Sequence, residues 1–188
     1  MKHAAGRAAA LALAMAAAWG LAGAAQAFTL ASSSFKDGAT LPLAYAGDMT
    51  GNANCVGKNV SPALAWTGAP DGTKSFVLVM VDLEGRNGMG VNHFVAYGIP
   101  ASVTGFAQGE LSTTSAKYVG GKSTQGLASY MGPCPPPGTG AHHYTFVVIA
   151  TDLDPAALPA GLTREQLMPM LDGHAKAASG ISGLFAHP

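Results

Sequence analysis

The stretch from Tyr130 to Ala150 constrains the fold more than any other, because a stiff turn feeds straight into a strand. Pro133, Pro135, Pro136 and Pro137 each fix φ and remove a backbone donor, while Gly132, Gly138 and Gly140 permit angles and close approaches that other residues resist. Such a turn is costly to mobilise and suits the wall of a pocket. From His142 the residues alternate with period 2. His142, Tyr144, Phe146 and Val148 are predicted on one face of a strand, and His143, Thr145, Val147 and Ile149 on the other.

The segments before this turn also read as strands between Gly/Pro-rich connections. Phe28–Phe35 is predicted as an edge strand, and Leu41–Tyr45 as a short extended segment that Pro42 confines to an edge or a turn. Pro62 pushes Ser61 into an extended conformation, and Leu64 and Trp66 then share one face of a strand. Ser75–Val81 is an almost unbroken apolar run, as expected of a strand buried on both faces, and it delivers Asp82 to its end on the face of Phe76, Leu78 and Met80. A carboxylate there must be hydrogen-bonded or paired, since burying an isolated charge is too costly. The Gly85–Gly90 connection contains no phosphate-loop pattern. Asn92–Pro100 is the next strand, with His93, Val95, Tyr97 and Ile99 expected on one side. Residues 105–125 read as loops with one short strand at most.

The only strong helix signal comes late. Thr163 as N-cap and Gln166 at N3 form a capping box, with Leu167, Met170, Leu171 and His174 at helical spacing. Pro169 interrupts that helix or sets its start, and a second short helix is expected from about Asp172 to Gly180. The sum is a mainly β chain: a two-sheet antiparallel β-sandwich-like domain with a peripheral C-terminal helix.

The N-terminus has the form of a secretory signal peptide. Lys2, His3 and Arg7 precede an Ala/Leu-rich run from Ala8 to Ala22, and Ala25-Gln26-Ala27 ends it, so cleavage is expected after Ala27. The run is interrupted by Gly20 and Gly23 and is marginal against the roughly 20 residues a membrane span needs. Residues 1–27 are therefore the signal peptide and 28–188 a single domain, in a periplasmic or secreted protein. Loss of Lys2 and Arg7 leaves eight basic against ten acidic residues, a net charge of −2. No basic stripe is present, which argues against nucleic acid as a partner. Cys55 and Cys134 are the only two cysteines, and in an oxidising compartment they are expected to pair.

Asp82, His93 and His142 with Tyr144 are the polar groups placed at strand ends. Together they can form an anion site, the carboxylate orienting one histidine while its second nitrogen remains free and tyrosine completes the shell. Each histidine taken alone reads as a hydrogen-bonded core residue.

The order of motifs resembles the phosphatidylethanolamine-binding protein family, in its bacterial Raf-kinase-inhibitor-like branch. Those motifs are Gly57-x-Asn59-x-Ser61-Pro62-x-Leu64-x-Trp66, the strand ending in Asp82, His93-Phe94, Gly132-Pro133-Cys134-Pro135-Pro136-Pro137-Gly138, and His142-x-Tyr144. The resemblance spans nearly all of the chain after the signal peptide. It implies a large antiparallel sheet packed on a smaller one, and a small pocket that accepts phosphate-like headgroups. The ligand-binding set it implies here is Asp82, His93, Tyr130, Gly132, Pro133, His142 and Tyr144, without catalytic residues, cofactor or obligatory metal. The chain departs from the family at the pocket rim. Asp-Pro-Asp-Ala-Pro is replaced by Asp82-Leu83-Glu84-Gly85-Arg86, Val91 stands where the family has Trp, and His-Arg-Tyr has become His142-His143-Tyr144.

The leading functional expectation is thus a small non-catalytic binding protein for an anionic, phosphate-like or phospholipid-headgroup-like ligand. One alternative is a metal-dependent enzyme using Asp82, His93 and His142, ligand types found in carboxylate plus two-histidine sites. A second is a protein-interaction module with a vestigial pocket. A serine or cysteine hydrolase is disfavoured, because the GxSxG elbow is lacking and Cys134 is hemmed by prolines and expected to be oxidised. A protein partner and a homodimer are both compatible with the sequence, which specifies neither.

Overall fold

A computed structural model describes residues 26–188. The expected signal peptide lies outside the described residues except for Gln26 and Ala27. Two antiparallel sheets make up the fold. The smaller has the order β1-β2-β5, from Thr29–Ala31 (β1), Leu64–Thr67 (β2) and Gly105–Phe106 (β5). The larger has the order β6-β4-β3-β7-β8, from Ser75–Asp82 (β3), Val91–Pro100 (β4), Val119–Gly120 (β6), His142–Thr151 (β7) and Ala175–Phe185 (β8).

The period-2 pattern of β3 explains why the larger sheet is central. Phe76, Leu78 and Met80 face the small sheet and pack with Trp66, Leu64 and Phe106, whereas Val77 and Val79 face outward. The Trp66 ring stands edge-on to Phe76 at 5.3 Å between centroids. Each such side chain contributes roughly 1.5–3 kcal/mol on burial. The outer layer pairs Val77, Val79, Val95 and Tyr97 with Leu167 and Leu171. Leu167 belongs to a helix, Arg164–Met170 (α2), that opens on the predicted Thr163–Gln166 capping box. Pro169 sits within that helix and does not end it.

Four local expectations are corrected. The first strand shortens to three residues. The Leu41–Tyr45 segment is a 3-10 turn over Leu43–Tyr45 rather than extended, closed by Ala46 N–H donating to the Leu43 carbonyl at 3.1 Å. Residues 105–125 hold two short strands, β5 and β6. The helix expected after Asp172 is instead β8, an eleven-residue strand pairing with β7 from Thr151↔Ala175 to His142↔Phe185. Its Ala, Ser and Gly residues carry little β propensity and no apolar period, so only the partner strand specifies it.

Strict alternation along β4 also fails, with a functional consequence. Met80 faces Phe94 and Val81 faces Asn92, which leaves His93 as an extra residue in a β-bulge. A second irregularity sets Val77 against both Tyr97 and Gly98. There Gly98 has φ +60 and a Cβ would collide with the Pro155 carbonyl, so glycine is required. His93 and Ile99 consequently leave the face of Val95 and Tyr97, and Phe94 and Ala96 turn to the inner core.

Candidate functional site

The ends of three neighbouring strands build the site. Asp82 closes β3, His142 opens β7, and the bulge at His93 turns that ring inward from β4. Asp82 is 3 % exposed, and every demand of a buried carboxylate is met. Oδ1 accepts the backbone N–H groups of Glu84 and Gly85, both at 2.9 Å, and Oδ2 accepts His142 Nδ1–H at 2.8 Å. The two backbone bonds fold the chain leaving β3 into Gly85–Gly88 (α1), a helical turn in which Arg86 and Asn87 have left-handed angles.

His142 Nε2 lies 3.1 Å from Thr139 Oγ1, whose single O–H donates to the Pro136 carbonyl at 2.9 Å. His93 Nδ1 is 2.8 Å from the Met131 carbonyl, an acceptor only, so this nitrogen carries the proton. Its Nε2 has no protein partner among the described residues. Burial pushes the His93 pKa below its ordinary value, against the opposing pull of the Met131 carbonyl and the Asp82 charge. Tyr144 is packed edge-on to His93 at 5.2 Å and roughly parallel to His142 at 6.4 Å between centroids. Burial, then the charges of Asp82 and Glu84, hold its phenol protonated well above the usual range. Its hydroxyl is likewise without a protein partner among the described residues.

These four side chains share a cavity of about 280 Å³ with Arg86 and the Cys134–Pro136 wall. Cys55 and Cys134 are disulfide-bonded, with Cα atoms 4.6 Å apart, and Asn52 from the adjoining loop reaches the cavity as well. A wider cavity of about 580 Å³ beside α2 has Asp172 as its sole ionisable lining residue.

His143 points away, as the alternation predicts: its Nδ1 meets Glu84 Oε1 at 2.7 Å on the surface. Tyr130, Gly132 and Pro133, expected at the ligand, stand one layer behind the wall. The Tyr130 hydroxyl donates to the Tyr45 carbonyl at 2.8 Å, and Pro133 O accepts from Gly47 N–H at 2.9 Å. The side-chain amide of Asn59 grips both sides of the turn, donating to Tyr130 O at 3.1 Å and accepting from Gly132 N–H at 2.8 Å. A Cβ on Gly132 would collide with the Tyr45 carbonyl. Asn59 is thus the latch of the turn, which accounts for its place in the Gly57-x-Asn59-x-Ser61 run.

Sequence reasoning missed Asn52, Arg86, Gln125, Pro135, Pro136 and Thr139 around the cavity. Pro135, Pro136 and Thr139 lay within the turn already singled out. Asn52, Arg86 and Gln125 sit in connections with no periodicity to aim them. Among the described residues no three His, Cys, Asp or Glu side chains are grouped to hold a metal ion. Asp82 Oδ2 and both Nδ1 atoms are committed to hydrogen bonds.

Two packed antiparallel sheets with a small, part-polar cavity at strand ends define a β-sandwich binding domain. The family description "Phosphatidylethanolamine-binding protein" matches residues 31–186, and the chain belongs to that family. A UPF0098 protein of Aquifex aeolicus is 34 % identical over 155 residues, covering 82 % of this chain and 85 % of that one. A putative lipoprotein of Mycobacterium tuberculosis, LppC, is 37 % identical over 165 residues, covering 86 % and 72 %. The crystal structure of Escherichia coli YbcL, described as a new member of the mammalian PEBP family, superposes with a TM-score of 0.75 at 30 % identity, covering 85 % of this chain and 98 % of that one.

Proposed function

We propose that the chain is an exported, non-catalytic binding protein whose strand-end cavity takes a phosphate-like anionic group. The observation that carries this reading is the pair of unpartnered polar atoms, His93 Nε2 and the Tyr144 hydroxyl, beside a His142 ring fixed by Asp82. Tyrosine offers an O–H donor, and each imidazole becomes a second N–H donor on protonation. An anion entering the cavity therefore gains charge-assisted hydrogen bonds as pH falls. Because burial depresses the His93 pKa, its share of the gain sets in below about pH 6.5. Asp82 opposes a dianion, and affinity for free phosphate is expected in the high micromolar to millimolar range, roughly 4–6 kcal/mol. The expected signal peptide, the disulfide and the lipoprotein description of the Mycobacterium relatives support export.

The test is calorimetric titration of wild type, His93→Ala and His142→Ala with phosphate and phosphoethanolamine at about pH 5.5 and about pH 8. Affinity should be higher at the lower pH and fall in both variants. Affinity indifferent to pH and to both substitutions would make these histidines structural and end the anion reading.

A further inference from the structure

A second cavity, of about 350 Å³, adjoins the first and shares Arg86 and Val91 with it. Arg86, Lys122 and Arg164 line it, including both arginines of the described residues. Among the described residues none of the three has a carboxylate within ion-pair distance, whereas Lys74 and Lys117 are paired elsewhere. Arg164 Nε is buried without any hydrogen-bond partner. Such an orphaned charge-bearing donor is costly unless something outside the chain accepts from it.

The hydroxyls point the same way. Ser123 Oγ accepts Leu127 N–H at 3.1 Å and Thr124 Oγ1 accepts Asn92 N–H at 2.8 Å, and neither donates to a protein atom among the described residues. Both line the cavity, and Ser123 is 6 % exposed. The lone opposing carboxylate, Glu165, is held by Asn92 Nδ2 at 2.6 Å. Three cations and two free O–H donors against one engaged carboxylate make an anion-accepting surface.

Arg86 stands at the partition. It has φ 54 and ψ 41, followed by Asn87 in a similar left-handed conformation. In non-glycine residues such conformations are strained and cluster at ligand clamps.

We infer that the second cavity takes a second anionic group, so that one ligand carrying two phosphate-like groups spans both cavities with Arg86 between them. This rests on the anion reading of the first cavity. It makes the preferred ligand class a bis-anion, such as a doubly phosphorylated headgroup, rather than a single phosphate.

The experiment titrates the purified protein with methylphosphonate and with alkane-α,ω-bisphosphonates of graded linker length. At the best length the bisphosphonate should bind at least about tenfold more tightly than methylphosphonate, through the effective concentration of the second group. Lys122→Gln combined with Arg164→Gln should bring the two ligands to within about threefold while leaving methylphosphonate binding unchanged. Each single variant, checked for a wild-type unfolding midpoint, should lose part of the increment, and added salt should reduce it in wild type. Absence of the increment at every linker length, or its survival in the double variant, overturns the inference. Methylphosphonate affinity in His142→Ala reports separately on the first cavity. If it is unchanged there, the single-anion reading fails, and the two-cavity ligand fails with it.

Discussion

His142 Nδ1 and Asp82 Oδ2 meet at 2.8 Å between two adjacent strands of the large sheet, both side chains nearly inaccessible to solvent. The register explains the meeting, because Asp82 pairs with Tyr144, two residues along β7 and on the same face as His142. The carboxylate also accepts the Glu84 and Gly85 N–H groups, so it ties together two strands and the loop carrying Arg86.

Asp82→Ala should therefore destabilise the fold by about 3–5 kcal/mol, since three donors lose their acceptor in a buried place. Asp82→Asn keeps an oxygen for the two backbone groups and should cost less. It should nonetheless weaken anion binding, because His142 is no longer oriented by a charge. Urea denaturation of both variants checks the order. Equal stability losses would show the backbone bonds to be unimportant.

The buried His93 predicts how stability depends on pH. Its folded-state pKa lies below the unfolded value of about 6.5, so between the two the unfolded chain binds more protons. The neutral ring's contribution is full above about pH 6.5 and is lost as pH falls toward the folded-state value. His93→Gln should flatten the fall in unfolding free energy between about pH 7 and about pH 5. A variant as pH-sensitive as wild type would assign the dependence to other groups.

The bond between Cys55 and Cys134 closes a loop spanning 79 residues in sequence. Chain-entropy reasoning gives such a loop roughly 4 kcal/mol, less any strain. Denatured, unreduced protein should show no titratable thiol. Paired Cys55→Ser and Cys134→Ser substitutions should lower the unfolding midpoint and weaken anion binding together, because Cys134 is part of the cavity wall.

His143→Ala is the matching control. Its side chain is 57 % exposed and pairs with a Glu84 that is itself accessible. Stability should change by no more than about 0.5 kcal/mol, and phosphate affinity should stay within error of wild type. A lost affinity equal to that of His142→Ala would mean the strand faces are exchanged.

The faces of β3 and β7 were legible in the sequence because each is long and periodic, and Asp82, His142 and Tyr144 followed from them. His93 reached the pocket for a reason that alternation does not contain. On the regular pattern it would have joined Val95 and Tyr97 on the outer face, and the bulge carried it inward. Bulges depend on the partner strand, so one strand's sequence shows no sign of them. The same holds for Arg86, aimed by left-handed angles in a glycine-rich loop, and for β8. Tyr130, Gly132 and Pro133 were placed near the ligand because the turn was rightly seen as a wall. Which of its atoms face inward was decided by Asn59 and Tyr45, distant in sequence.

The pairing of His142 with Phe185 makes the strand that carries the site depend on β8 for its outer edge. β8 covers the outer edge of β7 and is the last strand in the order of the large sheet. β3 and β4 pair with each other directly, whereas the strand that carries His142 has an open edge wherever β8 is not in place. A molecule clipped within β8 would leave that edge bare and seek another strand to cover it.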